Sequence, residues 1–333
     1  MSESQITLDG TVLKKTDPRI REVHPVIISV SRATDIPAFY MDWFLERFDS
    51  GSLIWKNPYR RDNNIEVFFD QTKGAVFWTK DPAAFLRRID DINRTGLYFY
   101  LQVTLNNYEG CGYELHVPPL SERIQAFQDI SRLIGRDRIM WRFDPLLLSD
   151  LIPLPELFTR IDRLFFYLAP FTRRMIFSFI DISGYRGVTR NMTRYGLDAV
   201  REFTDEEKIH TARFLQECSS RYGLLVMACC QTLDLSGYGI VPGRCVDDRV
   251  FRQIATGDTE FISWLDHDAV KDKGQRPRCT CIWSKDIGEY STCMHLCRYC
   301  YANRGDEIVA ARYHLHQRAR GNGLPLLSIV PDL

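Results

Sequence analysis

Short apolar runs alternate with amphipathic stretches along most of the chain, and this alternation predicts a repeated strand–helix architecture. Six of the runs are almost continuously apolar, which is typical of strands buried on both faces of a parallel sheet. These runs are Val26–Val30, Ala75–Trp78, Leu97–Val103, Ile139–Phe143, Met175–Ile180 and Leu224–Ala228. A further strand is expected near Ile282–Ser284.

The segments between these runs have the periodicity of amphipathic helices. Apolar residues recur on one helical face in two of them, namely Phe85, Ile89 and Ile92, and Phe127, Ile130 and Ile134. Thr204-Asp-Glu-Glu207 has the pattern of a capping box and predicts a helix running toward Tyr222. Repeated βα units fit a closed (β/α) barrel or an open doubly wound sheet. Because no G-x-G-x-x-G follows the first strand, we expect an α/β fold with a complete or partial TIM-like (β/α) barrel.

Composition supports one large domain and narrows the class of partner. The apolar fraction of 45% is enough for a large core, so we expect residues 26–333 to form a single domain after a polar extension, residues 1–25. The polar N-terminal stretch lacks the apolar run of a signal peptide, and no segment approaches the ~20 apolar residues of a membrane span. We therefore expect a cytoplasmic protein. The 43 basic residues equal the 43 acidic ones, which favours a small-molecule or peptide substrate over nucleic acid.

Polar residues follow each predicted strand, at the edge where a parallel barrel carries its chemistry. In strand order they are Ser31, Arg32 and Asp35; Thr79 and Lys80; Thr104 and Asn106; Arg142 and Asp144; Ser178 and Asp181; and Cys229 and Cys230. Arg142 interrupts an apolar run, and a buried guanidinium needs a partner or an anionic ligand. Asp144 or Asp35 could be that partner, whereas a carboxylate or phosphate of a bound molecule could be the ligand.

Five of the ten cysteines lie close together between Cys279 and Cys300, which indicates metal ligands if the protein is cytoplasmic. Cys293, Cys297 and Cys300 have the spacing C-x3-C-x2-C. Three cysteines can hold three irons of a [4Fe–4S] cluster and leave the fourth iron open, whereas electron-transfer clusters normally have four cysteine ligands. A metal position without a protein ligand is typical of a site that performs chemistry. His295, within this loop, is expected to be exposed or to lie behind the ligands.

This motif resembles the signature of the radical S-adenosylmethionine (radical SAM) superfamily, including the aromatic Tyr299 before the last cysteine. Its continuation through Tyr301-Ala-Asn303 resembles the spore-photoproduct-lyase-like branch. The whole chain resembles the uncharacterised DUF1848 family. That resemblance rests on Ser31–Phe39, Val76–Lys80, Trp141–Pro145 and Asp286–Tyr290. The motif departs from most of the superfamily in its position, because it lies far along the chain instead of near the N-terminus.

The superfamily resemblance implies an enzyme that cleaves S-adenosylmethionine (SAM) reductively at a [4Fe–4S] cluster and so generates a 5′-deoxyadenosyl radical. It also implies a reducing partner such as a flavodoxin or ferredoxin. Under this hypothesis Tyr299 and Arg32 contact the cofactor. The residues that we expect to contact SAM or substrate at the barrel mouth are Asp35, Lys80, Arg142 and Asp144. The substrate itself is not indicated by the sequence.

The other cysteines of this region suggest a second metal site, which could be a second iron–sulfur cluster. Its ligands would be Cys279, Cys281, Cys245 and either Cys229 or Cys230. Alternatively, Cys229 and Cys230 are ordinary buried thiols at a strand end.

Two other classes of protein remain open at this stage. One is a non-catalytic iron–sulfur protein that carries electrons or senses redox state. The other is a zinc-stabilised module that binds nucleic acid, although C-x-C followed by C-x3-C is an unusual spacing for zinc.

Overall fold

A parallel sheet of eight strands forms the centre of the molecule. The computed structural model describes residues 21–58, 63–197 and 199–331, and the backbone of two short paired strands before them. The strands are β1 (Gln5–Ile6), β2 (Val12–Leu13), β3 (Arg21–Val23), β4 (Ile27–Val30), β5 (Ser52–Trp55), β6 (Ile65–Phe68), β7 (Gly74–Thr79), β8 (Tyr98–Thr104), β9 (Ile139–Leu146), β10 (Arg174–Phe179), β11 (Leu225–Ala228), β12 (Val241–Pro242) and β13 (Lys285–Asp286).

Most of the helices lie between consecutive strands of the large sheet. They are α1 (Ile36–Phe39), α2 (Met41–Asp49), α3 (Pro82–Leu86), α4 (Ile89–Arg94), α5 (Leu120–Ile134), α6 (Leu154–Leu168), α7 (Arg186–Arg194), α8 (Asp205–Tyr222), α9 (Asp248–Ile254), α10 (Thr259–His267) and α11 (Asp306–Gly321). The capping box predicted for α8 is present, because the Thr204 side chain accepts from the Glu207 N–H and the Glu207 side chain accepts from the Thr204 N–H.

The strand order in the large sheet is β12-β11-β10-β9-β8-β7-β4-β13, and every pair is parallel. From β4 to β12 the spatial order follows the chain, and the last strand, β13, pairs with the first, β4. β12 and β13 are the two edges of this sheet, and the segments next to them meet where the Ile282 N–H donates to the Val246 carbonyl at 3.2 Å. We call the space between these two strands the seam. The predicted parallel α/β fold is thus confirmed, although no pairing across the seam is found in the described parts of the chain.

Both faces of the sheet are buried, which explains why its strands are apolar throughout. One face packs against helices α2 to α8 through alternate residues such as Phe77 and Leu101. The opposite face, through residues such as Val76 and Tyr100, packs against α9 and α10. At Gly74 a Cβ atom would lie 2.8 Å from the Phe251 ring, so a glycine there lets α9 approach the sheet closely.

The structure corrects several sequence predictions. The strand expected near Ile282–Ser284 is β13, which begins at Lys285. Strand β12 and the separate sheet β3-β6-β5 were not predicted. Strand β3 lies in the predicted N-terminal extension, residues 1–25, most of which is outside the described residues. Within the described residues, no helix has the length and apolar character needed to cross a membrane.

A buried histidine of helix α11 packs against residues near the start of the domain. The Nδ1 atom of His316 lies 2.6 Å from the Ile329 carbonyl oxygen, and the His316 ring packs edge-on against Tyr40. Burial lowers the pKa of His316; the Ile329 carbonyl opposes this shift, and the positive charge of Arg320 adds to it.

We expect the free energy of unfolding to fall as the pH drops below about 6.5, because the unfolded chain then binds a proton at His316 more readily than the folded protein does. A His316→Gln variant lacks this contribution, so the stability advantage of the wild type should shrink as pH falls from roughly 7.5 to 5. Urea unfolding across this range measures it, with His267→Gln on α10 as the exposed control. A constant difference between wild type and His316→Gln would contradict the prediction.

Candidate metal centre at the carboxyl edge of the sheet

The loop after β13 carries Cys293, Cys297 and Cys300, which we call the triad. Because β13 is parallel to β4, this loop starts at the edge of the sheet where the neighbouring strands end. Two of its residues, Ser291 and Leu296, have positive φ angles of 59° and 50°, so the chain turns sharply on both sides of Cys293. Cys297 is buried, whereas Cys293 and Cys300 are half-buried. Cys293 and Cys300 act on Cys297 through charge, so the three thiols lie near each other.

Amide side chains and a tyrosine hold the triad loop in place. Asn191 on α7 donates to the carbonyl oxygens of Cys300 and Asn303, at 2.7 and 2.9 Å. Asn303 in turn donates to the Cys293 carbonyl oxygen at 2.9 Å. The Tyr40 hydroxyl, between α1 and α2, donates to the Thr292 carbonyl at 2.7 Å. These bonds satisfy the loop's buried carbonyls and fix the backbone positions of the cysteines.

The thiols of the triad strongly resist ionisation in this environment. Burial raises the pKa of all three, and it raises that of Cys293 to about 12 with the help of the Asp35 carboxylate. N–H groups of His295 and Asp35 act in the opposite direction on Cys293, and Lys80 does so on Cys297. Metal binding requires thiolates, so a bound metal would have to displace these protons.

A buried ion pair lies beside Cys297. Lys80 donates to Glu114 Oε1 at 2.6 Å, and the hydroxyl of Tyr299 also donates to this carboxylate. Asn106 donates to Glu114 at 3.2 Å and to the Tyr299 oxygen at 3.1 Å. Burial opposes the charge on Lys80, but Glu114 and Cys297 outweigh it and raise the pKa. For Glu114 burial is likewise outweighed, here by Lys80 and Arg123, and the pKa is lowered.

Asp35 links the end of β4 to the triad loop. One carboxylate oxygen accepts from the Thr79 hydroxyl at 3.0 Å and from the Lys80 N–H at 2.7 Å, and it lies 2.7 Å from His295 Nε2. The other oxygen caps α1 by accepting from the Ala38 N–H at 3.0 Å. His295 is therefore buried behind the cysteines, which rules out the exposed position considered for it.

Arg142 has its predicted partner in Asp144. It donates to the Asp144 carboxylate, to Gln102 Oε1 at 2.6 Å and to the Cys245 sulfur at 3.0 Å. Asp144 also accepts from the Ser178 hydroxyl, and its N–H donates to Asn106 Oδ1 at 2.9 Å. Burial opposes the charge on Arg142, but Cys245 and Asp144 outweigh it and raise the pKa well above its usual value. The guanidinium thus lies between a carboxylate and a group of thiols.

Four other cysteines form a second group near the seam, which we call the quartet: Cys229, Cys245, Cys279 and Cys281. The sulfur atoms of Cys229 and Cys245 are 3.7 Å apart. The Cys245 N–H donates to the Cys281 sulfur at 3.1 Å, and Cys279 is buried two positions before Cys281 along the chain. All ten cysteines of the chain are free thiols. Across the described residues, no three His, Cys, Asp or Glu side chains surround a single point as the ligands of one ion would.

The structure brings most of the sequence-predicted residues together. Hydrogen bonds run along the strand ends from Asp35 through Thr79, Lys80, Asn106 and Asp144 to Ser178. Arg32 lies further along the same edge, with its N–H donating to Asp286 at 2.8 Å and its guanidinium above the Trp78 ring. Asp181 instead accepts from the Gly184 N–H in its own loop. Cys111 and Cys218 lie elsewhere in the fold, each beside residues of α6.

Glu114, Asn191 and Asn303 were missed by the sequence analysis. Glu114 lies in the loop between β8 and α5, beyond the strand-end positions that were searched. The signal that could have found it is Lys80, since a buried lysine requires an acidic partner. For Asn191, which is 1% exposed, the interruption of the apolar face of α7 is a comparable signal.

Fold and site together define a parallel α/β protein with a three-cysteine loop at the carboxyl edge of its sheet. The family model described as "Domain of unknown function (DUF1848)" matches residues 27–302, so the chain belongs to the DUF1848 family. No curated protein matches the chain in sequence. A solved structure from Bacteroides thetaiotaomicron VPI-5482, provisionally named alpha-L-fucosidase, is 8% identical over 92% of this chain and 96% of its own. Its TM-score is 0.25, which is too low to bear on fold or function.

We expect Glu114→Gln to destabilise the protein by roughly 3–5 kcal/mol, because it leaves the buried Lys80 without a counter-charge near Arg123. The double variant Lys80→Met, Glu114→Gln should recover much of this loss. Urea unfolding measures both. The control is Asp129→Asn, which breaks the exposed pair with Arg132 and should cost about 1 kcal/mol or less. Equal losses in Glu114→Gln and Asp129→Asn would show that the ion pair is not buried as described.

Proposed function

We propose that this protein is a radical SAM-type enzyme whose triad binds a [4Fe–4S] cluster. The observation that carries the proposal is the position of the triad loop. This loop starts at the carboxyl end of β13, which is the strand that pairs with β4. Active sites of parallel barrels lie at this edge, and the polar strand ends meet there. The proposal also explains why the motif lies late in the chain. β13 is late in the chain but precedes β4 in the sheet, so the motif follows the strand that would be first in an unpermuted barrel.

Burial raises the pKa values of the triad thiols, but groups beside them would stabilise the negative charge of a cluster once it is bound. The Lys80 ammonium counters negative charge at Cys297, and backbone N–H groups of Ala302 and Asn303 act on Cys300. Cys293 and Cys300 act on Cys297 through charge, so the three thiols lie near one another, as the ligands of one cluster must. When bound, the cluster would supply the electron for the reductive cleavage of SAM to the 5′-deoxyadenosyl radical.

The chain's own residues then have distinct roles under this proposal. Asp35 holds His295 and the Lys80 N–H, so it positions the loop instead of contacting substrate through a free oxygen. Lys80 and Tyr299 both donate to Glu114, and the Lys80 ammonium would stabilise negative charge at Cys297. Asp144 on β9 and Arg32 just after β4 would meet the carboxylate or amino group of SAM or a polar substrate. Burial of Cys297 and partial burial of Cys293 and Cys300 would limit the access of water to the reacting groups.

The proposal includes a reducing protein such as a flavodoxin or ferredoxin as partner, because the chemistry needs one electron per cleavage. A small-molecule or peptide substrate fits the zero net charge better than nucleic acid does. The cytoplasm, where thiols stay reduced, is the compartment that suits ten free cysteines.

Anaerobic reconstitution with iron and sulfide should give about four irons in the triad, with the absorption of a [4Fe–4S] cluster. Incubation with dithionite and SAM should then produce 5′-deoxyadenosine. Cys297→Ala should abolish this product, whereas Cys218→Ala, at a buried thiol in α8, should retain it.

Three outcomes separate this proposal from its alternatives. A cluster that yields no 5′-deoxyadenosine indicates an electron carrier or redox sensor. A colourless protein that takes up only zinc indicates a zinc-stabilised module. Unchanged 5′-deoxyadenosine formation in Cys297→Ala would refute the assignment of the triad.

A further inference from the structure

Helix α7 carries three exposed arginines beside the triad loop, which we call the arginine row. Arg186, Arg190 and Arg194 are spaced by four residues, so they lie along one side of the helix over about 12 Å. Arg194 donates to the Arg304 carbonyl oxygen. In the part of the chain that the structure describes, no carboxylate pairs with any of the three. The row is therefore an exposed positive surface whose charge is not neutralised by its own protein.

Helix α7 packs directly along the end of the triad loop. A Cβ atom on Gly187 would lie 2.6 Å from the Tyr301 carbonyl oxygen, so the first turn of the helix touches the loop backbone. One turn further on, Asn191 donates to the Cys300 carbonyl oxygen at 2.7 Å. The helix that presents the arginine row is thus one hydrogen bond away from the backbone of a triad cysteine.

Positive charge is concentrated in this part of the molecule, although the whole chain has equal numbers of basic and acidic residues. Residues 182–197 and 291–305, which contain α7 and the triad loop, hold five arginines and no aspartate or glutamate. Asp306 is the first acidic residue after the loop, and it accepts from Arg298 and from the Tyr195 hydroxyl, both at 2.6 Å. Arg304 is exposed and donates to the Pro58 carbonyl oxygen at 3.3 Å. The surface beside the triad is consequently suited to an anionic partner.

Tyr301 adds an exposed aromatic side chain to this surface. It directly follows Cys300 and is 41% exposed. Its ring centroid lies 5.8 Å from that of Tyr185 and 6.1 Å from that of Tyr290, so the side chain is supported by its neighbours. Arginine and tyrosine are enriched in protein–protein interfaces, where tyrosine often supplies much of the binding energy. The combination favours a protein as the anionic partner.

We propose that the arginine row, together with Arg304 and Tyr301, is the docking surface for an acidic electron-donor protein. The electron-donor role of the partner rests on the proposed function of the triad, whereas its acidic character follows from the charge of the surface alone. Complementary charge speeds the encounter and orients the partner toward the triad. Nucleic acid fits less well, because the chain has no overall excess of positive charge with which to neutralise a long row of phosphates.

Binding of a bacterial flavodoxin, a small acidic redox protein, tests the surface. Isothermal titration calorimetry is performed on the full chain with all three triad cysteines replaced by Ala, so that no cluster affects the result. We expect the double variant Arg186→Gln, Arg190→Gln to raise Kd roughly tenfold at low ionic strength. This difference should shrink as salt is added, because salt screens exposed charges.

The matched control is Arg163→Gln, Arg213→Gln, which removes two exposed arginines from α6 and α8 and should leave Kd unchanged. Each pair of substitutions is also made in the chain with its cysteines intact, where the same tenfold effect is expected. The test therefore does not depend on folding of the triad variant.

Failure of the docking surface and failure of the proposed function are distinguishable. If dithionite and SAM give no 5′-deoxyadenosine but flavodoxin binding depends on the arginine row, the proposed function is wrong and the acidic-protein surface stands. Absence of flavodoxin binding, or equal Kd values for the Arg186→Gln, Arg190→Gln variant and the control, would overturn the docking surface. Tighter binding of a short single-stranded DNA through the same arginines would also overturn it, in favour of a nucleic-acid surface.

Discussion

The pairing of β13 with β4 is the constraint on which the site depends. Lys285 and Asp286 lie opposite Ile28 and Ser29 in parallel register. Asp286 then accepts from the Ser31 hydroxyl at 2.7 Å and from the Arg32 N–H at 2.8 Å, so the ends of the two strands are tied together. The chain leaves β13 through Gly288, where a Cβ atom would lie 2.0 Å from the Ser31 oxygen. Only a glycine lets the triad loop start this close to β4.

The two cysteine groups are distinguished by their electrostatic surroundings. Burial raises the pKa of all three triad thiols, with Asp35 adding to the shift at Cys293 and Glu114 at Cys297, and this favours the neutral thiols. At the quartet, N–H groups and Arg142 face the sulfurs directly, and two of the four pKa values are lowered. Asp144 lies between the two groups, because it is bonded to Arg142 on one side and to Asn106 on the other. Polar strand ends thus form one connected network from the triad to the seam.

The sequence predicted the six long strands well because burial on both faces requires nearly uninterrupted apolar residues, as in β7, where all six residues are buried. β12 and β13 do not have such an apolar run, since each pairs over only two residues and β13 consists of Lys285 and Asp286. The strand-end positions Asp35, Lys80 and Asp144 were found because position along a strand fixes which edge a residue reaches. Glu114 could not be found this way, since its place beside Lys80 depends on the path of a loop.

The distance between β4 and β13 along the chain also sets the order in which the molecule can be built. Ser29 and Ser284, whose hydroxyls are 2.7 Å apart, are separated by 255 residues. During synthesis β4 leaves the ribosome early and can pair with β7 on one side. Its other side can pair with β13 only after nearly the whole domain has emerged. Contacts between residues this far apart in sequence form slowly, because the entropic cost of closing the long loop must be overcome first. The cysteine loop is consequently completed last, on a scaffold whose other strands have already been made.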